Sequence, residues 1–400
     1  MNGRTRTRFR FFLVAGAAIC CALGTASRAD DWPLVRGDTR GSGVAKSRLP
    51  GEFEARWTYS AEDAGFDATP VVADGVVYIG DDAGTFHAVR LADGKSVWTK
   101  TFEDGSFAAG AAVEKERVYI GDLDGIVRCL ATSDGSQYWE SEPLEGEIYA
   151  GPMLHGDDVL VTSEAGTLAW FRVADGKKRQ EFSIDAPLRC TPTISAGRVM
   201  LSGCDSLLHI IDAQTATEIT TVEIDAPTGA TAATRGERVF FGTEGGTFFA
   251  IDVPTSDGEP AVVWTYRDAR RGQPIRVAAA VNDKVIVYGT HGKAIYLLDT
   301  ASGQVKKQIP TRARIESSPV IAGDRAVVAT AAGKLYLIST ETGAIVWEGD
   351  FGGGFTGSPA VVDGLVIIGN TDGTLYCFGK KANDEKKQLT TETQRAQRSE

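Results

Sequence analysis

The sequence predicts an all-β protein, an eight-bladed β-propeller whose blades are four-stranded antiparallel sheets. Three observations predict this fold. A segment of about forty residues recurs eight times, each repeat alternates short apolar runs with turns rich in Gly and Asp, and the repeats show no helical periodicity. A repeat of this kind buries its two faces only against neighbouring repeats, so the repeats are expected to pack in a ring.

The repeats align on one position that is either Pro or Ala. Its members are Pro70, Ala111, Pro152, Pro192, Ala232, Ala279, Pro319 and Pro359. The intervals between them are 41, 41, 40, 40, 47, 40 and 40 residues. The two residues before this position are small or short-branched in every repeat. This pattern indicates that eight inner strands converge on a common axis, where bulky side chains do not fit.

Each repeat also encodes its strands in order. In the first repeat an inner strand begins near Pro70, and residues 76–79 then form the continuous apolar run of a strand covered on both faces. A third strand follows within residues 85–91, and the fourth ends near Trp98. Pro is tolerated early in the inner strand because the open edge of that strand faces the axis.

The two ends of the repeated region are predicted to close the ring. The eighth repeat, residues 355–379, supplies only three strands, whereas residues 54–59 resemble a fourth strand that precedes the first repeat. Trp57 lies thirteen residues before Pro70, as Trp98 lies before Ala111. The N-terminal strand should therefore complete the last blade and remove a free sheet edge.

The segment before the repeats carries an export signal. Four arginines within residues 4–10 precede an apolar stretch, residues 11–23, and small residues stand at Ser27 and Ala29. Thirteen apolar residues are fewer than the ~20 that a spanning helix needs. Ile19 before Cys20 does not fit a lipid-attachment site. We expect cleavage after about Ala29 and a periplasmic or cell-envelope location.

The chain therefore divides into four segments. They are a signal peptide at 1–29, an N-terminal extension at 30–53, the propeller at 54–379 and a polar tail, predicted to be disordered, at 380–400. The chain has 42 Lys+Arg against 53 Asp+Glu and a net charge of −11, so it repels phosphate and is a poor nucleic-acid binder. We expect a monomer that does not span the membrane.

Four cysteines, Cys129, Cys190, Cys204 and Cys377, follow the signal peptide. Cys190 and Cys204 fall on neighbouring antiparallel strands of the predicted fold. In an oxidising compartment they either form one disulfide or remain two small buried residues, and both interpretations stay open.

The repeats resemble the tryptophan-docking repeat of the pyrroloquinoline quinone (PQQ) type propellers. Ala88, Gly94-Lys95 and Trp98 carry the resemblance, as do the related residues 298–303 and 337–347. That superfamily includes eight-bladed quinoprotein dehydrogenases and the non-enzymatic BamB-like proteins of outer-membrane assembly. The resemblance implies docking tryptophans that pack between blades, at Trp57, Trp98, Trp139, Trp264 and Trp347.

Candidate contacts at the channel mouth come from the position three residues before the aligned Pro. They are Asp67, Tyr149, Arg189, Arg276, Glu316 and Thr356. Asp67 and Glu316 have the oxygen ligands that a hard cation prefers, and the two arginines are suited to holding carboxylates. The alternative is that arginines and acids pair with one another across neighbouring loops.

No other chemistry emerges from the sequence. Four scattered histidines predict no zinc site, and there is no nucleophile elbow, phosphate loop or metalloprotease helix. We assign no catalytic, cofactor-binding or metal residue.

The resemblance leads us to expect a non-catalytic exported scaffold, BamB-like, that contacts envelope proteins such as a component of outer-membrane barrel assembly. One alternative is a PQQ-dependent alcohol or sugar dehydrogenase that binds PQQ with Ca²⁺. The other is a propeller that binds a polysaccharide or a small ligand.

Overall fold

A computed structural model of the protein describes residues 30–256, 258–270 and 272–380. These residues form 33 β-strands, β1 to β33, and none of them lies in a helix able to cross a membrane. The predicted signal peptide lies outside the described residues, as does the predicted tail from residue 381 onwards. The strands form eight antiparallel sheets arranged as blades around one axis, which confirms the predicted eight-bladed β-propeller.

The first four blades follow the sequence repeats without interruption. Blade 1 contains Val71–Ala73, Val76–Gly80, Thr85–Arg90 and Ser96–Thr101, β3 to β6. Blade 2 contains Ala112–Glu114, Arg117–Gly121, Val127–Ala131 and Gln137–Glu140, β7 to β10. Blade 3 contains Met153–His155, Asp158–Thr162, Thr167–Arg172 and Lys178–Ser183, β11 to β14. Blade 4 contains Thr193–Ser195, Arg198–Ser202, Leu207–Asp212 and Glu218–Glu223, β15 to β18.

The last four blades complete the ring. Blade 5 contains Ala233–Arg235, Arg238–Gly242, Thr247–Asp252 and Ala261–Arg267, β19 to β22. Blade 6 contains Ala280–Val281, Val285–Thr290, Ala294–Asp299 and Val305–Pro310, β23 to β26. Blade 7 contains Val320–Ala322, Arg325–Ala329, Lys334–Ser339 and Ile345–Asp350, β27 to β30. Blade 8 contains Ala360–Val362, Leu365–Gly369 and Thr374–Gly379, β31 to β33, with Glu54–Ser60, β2, as its outer strand.

The second and third strands of each blade form the core. Val77 and Ile79 of β4 are almost fully buried, as are Phe86 and Ala88 of β5. Because neighbouring blades cover both faces of these strands, the apolar runs are continuous rather than alternating. The outer strands alternate, and β6 buries only Trp98 of its six residues.

The predicted closure of the ring is confirmed. β2 pairs antiparallel with β33, from Glu54 opposite Gly379 to Ser60 opposite Thr374, with one bulge between Ala55 and Trp57. Chain segments more than 300 residues apart therefore share one blade, and the ring has no unpaired blade at its start or end.

Docking tryptophans join several blades to the next one through a hydrogen bond and a flat contact. The indole Nε1 of Trp57 donates to the carbonyl of Leu91 at 2.7 Å, and that of Trp98 donates to Thr132 at 2.8 Å. Four of the five rings lie against a turn glycine of the next blade, as Trp98 lies against Gly135. Gly135 has a φ of +72°, and a Cβ there would lie 2.7 Å from the Trp98 ring. Both the left-handed backbone conformation and the lack of room for a side chain therefore require glycine.

The other docking tryptophans follow the same arrangement with local differences. Trp139 donates to Val173 at 2.9 Å, whereas the Nε1 of Trp264 is buried without a partner among the described residues. Trp347, in blade 7, makes an edge contact with Phe53 at 5.2 Å between ring centroids.

Blade 3 shows what happens when the tryptophan is absent. Gln180 occupies the docking position and donates to the carbonyl of Gln214 at 3.0 Å, so the hydrogen bond between blades survives. The turn residue beneath it is Ala216, with a φ of +55°. Because the Gln180 side chain is smaller than an indole ring, it leaves room for the Cβ of Ala216.

The N-terminal extension is ordered, and its first part lies inside the ring. We name residues 30–45 the plug. Six carbonyls of the plug accept N–H groups from the same position, two residues after the aligned Pro, in six different blades. These bonds join Val72 to Trp32, Val113 to Pro33, Ile194 to Thr39, Thr234 to Arg40, Val281 to Ser42 and Ile321 to Gly43, at 2.7–2.9 Å. The plug thereby covers the open edges of the inner strands.

The plug alters one blade from the predicted pattern. Its last residues, Val44–Ala45 (β1), pair in parallel with β27, so the sheet of blade 7 has five strands instead of four. Trp32 is only 2% exposed, and Val35 lies so close to Gly110 and Gly151 that a side chain at either glycine would displace it. The small residues along the axis therefore make room for the plug as well as for one another.

Two truncations should distinguish the contribution of the plug to stability from that of the closing strand, β2. Removing residues 30–45 is expected to lower the melting temperature while leaving a cooperative transition, because β2 still closes blade 8. Removing residues 30–60 deletes β2 as well and should unfold the whole ring. Circular dichroism melts and size-exclusion chromatography of both truncations check this. A stable, monomeric protein lacking residues 30–60 would contradict it.

Docking turns should tolerate a Cβ only where the indole is missing. Gly135→Ala should cost roughly 2–4 kcal/mol, because it adds left-handed backbone strain and a clash with Trp98. Ala216→Gly, the matched control in a turn of the same shape, should change stability by no more than about 1 kcal/mol. Urea unfolding measures both, and equal effects would refute the docking geometry.

Candidate functional site

A cavity of about 190 Å³ lies on the axis of the ring. The inner strands line it with residues one to three positions before the aligned Pro, and the plug contributes Val35 and Arg36. Since the plug bonds to these strands further along, two residues after the Pro, it bounds one end of the cavity. The other end is the channel mouth.

Five of the six predicted mouth residues line this cavity. They are Asp67, Tyr149, Arg189, Arg276 and Thr356. The sixth, Glu316, does not line it and is held in a neighbouring loop by Arg314, whose Nε lies 2.6 Å from its carboxylate. Because the first residues of the inner strands form a ring, residues up to 289 positions apart in the sequence lie together at the mouth.

The arginines of the mouth pair with acids from the preceding blade. Arg189 contacts Glu164, and the Nε of Arg276 lies 2.8 Å from the Glu244 carboxylate. The hydrogen bond to Glu164 raises the pKa of Arg189, so this guanidinium stays charged. Both arginine side chains are nevertheless 55% exposed, which leaves them able to contact another molecule.

The two candidate cation ligands are not brought together. Asp67 in blade 1 accepts a hydrogen bond from the hydroxyl of Thr356 at 2.7 Å. Glu316 faces His291, at 3.7 Å from its Nε2, and the pKa of this histidine is lowered by burial and by nearby Arg276. Within the described parts of the chain, no three His, Cys, Asp or Glu residues form a group that could hold a metal ion.

A ring of hydroxyls lies below the mouth, at a position where the sequence pattern indicates only small or short-branched residues. The position directly before the aligned Pro is Ser or Thr in five blades. Four of these hydroxyl oxygens accept an N–H from the residue at the same position in the preceding blade of the ring. The bonds run from Thr191 to Thr231, Ala278 to Ser318, Ser318 to Ser358 and Ser358 to Thr69, each at 3.0 Å.

The plug places one arginine in the cavity, and no motif in the sequence indicated this position. Arg36 is 3% exposed, and its Nη2 donates to the carbonyls of Ala279 at 3.1 Å and Pro319 at 2.8 Å. Burial lowers the pKa of Arg36 to about 10, with Asp38 opposing the shift, so the group is still a cation at neutral pH. Its Nε and Nη1 are buried and have no partner among the described residues.

The buried histidines belong to the blades rather than to the cavity. His87 lies 2.8 Å from Asp81 and 2.9 Å from the hydroxyl of Tyr59. His209 lies between Asp205 and Glu218, at 2.9 and 2.6 Å. These groups fix turns and outer strands, and none of them lines the axial cavity.

Cys190 and Cys204 are free thiols in the structure. The Sγ of Cys190 donates to the carbonyl of Ser202 at 3.3 Å, and that of Cys204 points to Thr228 at 3.8 Å. Burial raises the pKa of Cys190 to about 11, which makes it a poor nucleophile at neutral pH. Their pairing under oxidising conditions stays a prediction.

Comparisons with solved structures show the same fold in proteins of different roles. BamB from Moraxella catarrhalis has a TM-score of 0.71 at 15% identity, covering 82% of this chain and 98% of that one. The computationally designed Ika8 protein has 0.71 at 16%, covering 80% and 99%. Quinohemoprotein alcohol dehydrogenase from Comamonas testosteroni has 0.70 at 15%, covering 89% and 82%.

These structural likenesses do not decide between an enzyme and a scaffold, and no curated protein matches the sequence. A family model gives a more specific match. The model described as "Outer membrane protein assembly factor BamB" matches residues 51–192, 123–318 and 311–388. These matches cover all eight blades and confirm the resemblance to PQQ-type repeats. The chain therefore belongs to the BamB family of PQQ-like repeat propellers.

Proposed function

We propose that the protein is a non-catalytic, exported scaffold that makes protein–protein contacts in the cell envelope. The observation that carries this proposal is the plug: the chain fills the axis of its own ring and leaves a cavity of about 190 Å³. The family description and the predicted signal peptide support an envelope location and an outer-membrane assembly partner.

The cavity fits a quinone cofactor poorly. Sites for molecules of that size usually measure about 300–1,000 Å³ and are mostly apolar, whereas this one is smaller and polar. Tyr149 is the one aromatic residue in its lining, and Arg189 and Arg276 already hold carboxylates of the protein. These features favour recognition by the surface of the ring over catalysis within it.

The mouth face has the composition of a protein-binding surface. Tyr149 is 42% exposed, and the two arginine side chains beside it are 55% exposed. Tyr and Arg are enriched among the residues that dominate binding energies at interfaces. At the other end of the axis the plug already occupies the inner edges, so we place the partner at the mouth.

The channel-binding alternative is favoured by one observation, the donor groups that line the cavity. A polysaccharide chain cannot thread the axis because the plug bonds to six of the eight inner strands. A ligand in this cavity would therefore be small and would enter from the mouth.

Site-specific crosslinking should identify the contact face. A photo-reactive amino acid at position 149 is expected to crosslink one envelope protein in cells. Position 138 provides the control, because Tyr138 is 49% exposed but lies on the outer strand of blade 2. Crosslinked bands are compared on gels and identified by mass spectrometry. Equal products from both positions, or none from position 149, would count against a partner at the mouth.

Reconstitution with PQQ and Ca²⁺ should show whether the protein is a scaffold or a PQQ-dependent dehydrogenase. Incubating the protein with PQQ and Ca²⁺ is expected to give neither the absorbance of a bound quinone nor reduction of a dye in the presence of alcohols or sugars. The apo form of a quinoprotein dehydrogenase, treated in parallel, shows that the reagents are active. Stoichiometric quinone binding with turnover would overturn the scaffold proposal.

A further inference from the structure

The buried guanidinium of Arg36 carries a positive charge inside the ring. Arg36 is buried, and only its Nη2 is used by the protein, in two bonds to backbone carbonyls. The remaining donors, on Nε and Nη1, have no partner among the described residues. A buried cation that is neither paired with an acid nor fully hydrogen-bonded is costly, and such groups occur where a ligand completes them.

Asp38 opposes part of the burial effect on Arg36, but no acid forms an ion pair with this arginine among the described residues. Asp38, the closest acid on the plug, accepts bonds from Arg40 and Ser42. Asp67 lines the cavity from the mouth side and is engaged by Thr356. The acids that face Arg189 and Arg276 are occupied by those arginines in the outer loops.

The hydroxyl ring adds uncharged donors to the same cavity. Thr69, Thr231, Ser318 and Ser358 line it, and each oxygen already accepts a backbone N–H. A hydroxyl carries one hydrogen, and within the described residues none of these four donates it to a protein atom. The protein therefore surrounds the cavity with O–H groups whose hydrogens are available to an acceptor.

We propose that the axial cavity is a binding site for one small oxyanion, a sulfate, a phosphate or a carboxylate, held by Arg36 and the hydroxyl ring. Charge-assisted hydrogen bonds from a guanidinium and several hydroxyls are the donor set that such anions require. Because Arg36 belongs to the plug, the bound anion also fastens the plug to the ring and stabilises the fold by mass action. This inference is independent of the scaffold function.

Calorimetric titration of the predicted mature chain, residues 30–400, with sodium sulfate, sodium phosphate and sodium acetate at fixed ionic strength tests the proposal. At least one of the three anions is expected to bind at one site per chain and to raise the melting temperature with concentration. A response to sulfate or phosphate identifies an inorganic oxyanion site, and a response to acetate alone identifies a carboxylate site.

Variants locate the binding. Arg36→Gln, which keeps a donor but removes the charge, should weaken binding at least tenfold. Arg325→Gln is the matched control, since Arg325 also bonds to a carbonyl of the N-terminal extension, that of Leu49, but does not line the cavity. Thr191→Val removes the hydroxyl of the fifth Ser or Thr in the ring, which also lines the cavity, and should weaken binding severalfold even if Arg36→Gln fails to fold.

Two results would overturn the proposal. One is the absence of saturable binding for all three anions. The other is binding that neither the Arg36→Gln nor the Thr191→Val variant weakens relative to Arg325→Gln. The crosslinking result at position 149 is unaffected by either outcome, so the two proposals fail separately.

Discussion

The pairing of β2 with β33 is the interaction on which the rest of the structure depends. Each blade buries its faces only against its neighbours, so a ring that is open at one point exposes two apolar sheet faces and a free edge. Antiparallel bonds from Glu54 to Ser60 prevent this by joining the first strand of the propeller to its last. Docking tryptophans then fix the spacing of neighbouring blades. The indoles of Trp57, Trp98 and Trp139 each donate a hydrogen bond to the next blade and lie on a turn glycine that admits no side chain.

A second constraint arises at the axis. Each of the eight inner strands pairs with the second strand of its blade on one edge, and the N–H and C=O groups of its other edge face the axis. The plug provides acceptors for the N–H groups at six of these positions from one continuous segment that contains several turns, and each bond uses the same register position in a different blade. The backbone of the plug follows the circular arrangement of the strands, so its residues contact blades 1, 2, 4, 5, 6 and 7 in order. The small residues that allow the strands to converge also allow this segment to enter.

The cavity that remains follows from both constraints. Convergence of the strands limits its width, and the plug limits its depth, so it is small and lined by short polar side chains. The mouth above it bears exposed arginines and Tyr149. The two proposals assign the two regions different occupants, a small anion in the cavity and a protein surface at the mouth. BamB, a designed protein and an alcohol dehydrogenase share this fold, so the function of such a protein is argued from its local site and not from the fold.

The sequence by itself determined the number of blades, the order of the strands within each blade and the role of the N-terminal strand, because these features depend on local periodicity and on turn residues that recur every forty positions. It also placed five of the six mouth residues on the cavity, since the repeat assigns equivalent positions to one ring. Only the tertiary structure decided the path of the plug, the fifth strand of blade 7 and the position of Arg36. Arg36 bonds to the carbonyls of Ala279 and Pro319, 243 and 283 residues away, and any residue type supplies such backbone acceptors, so only the closed ring brings them to one point.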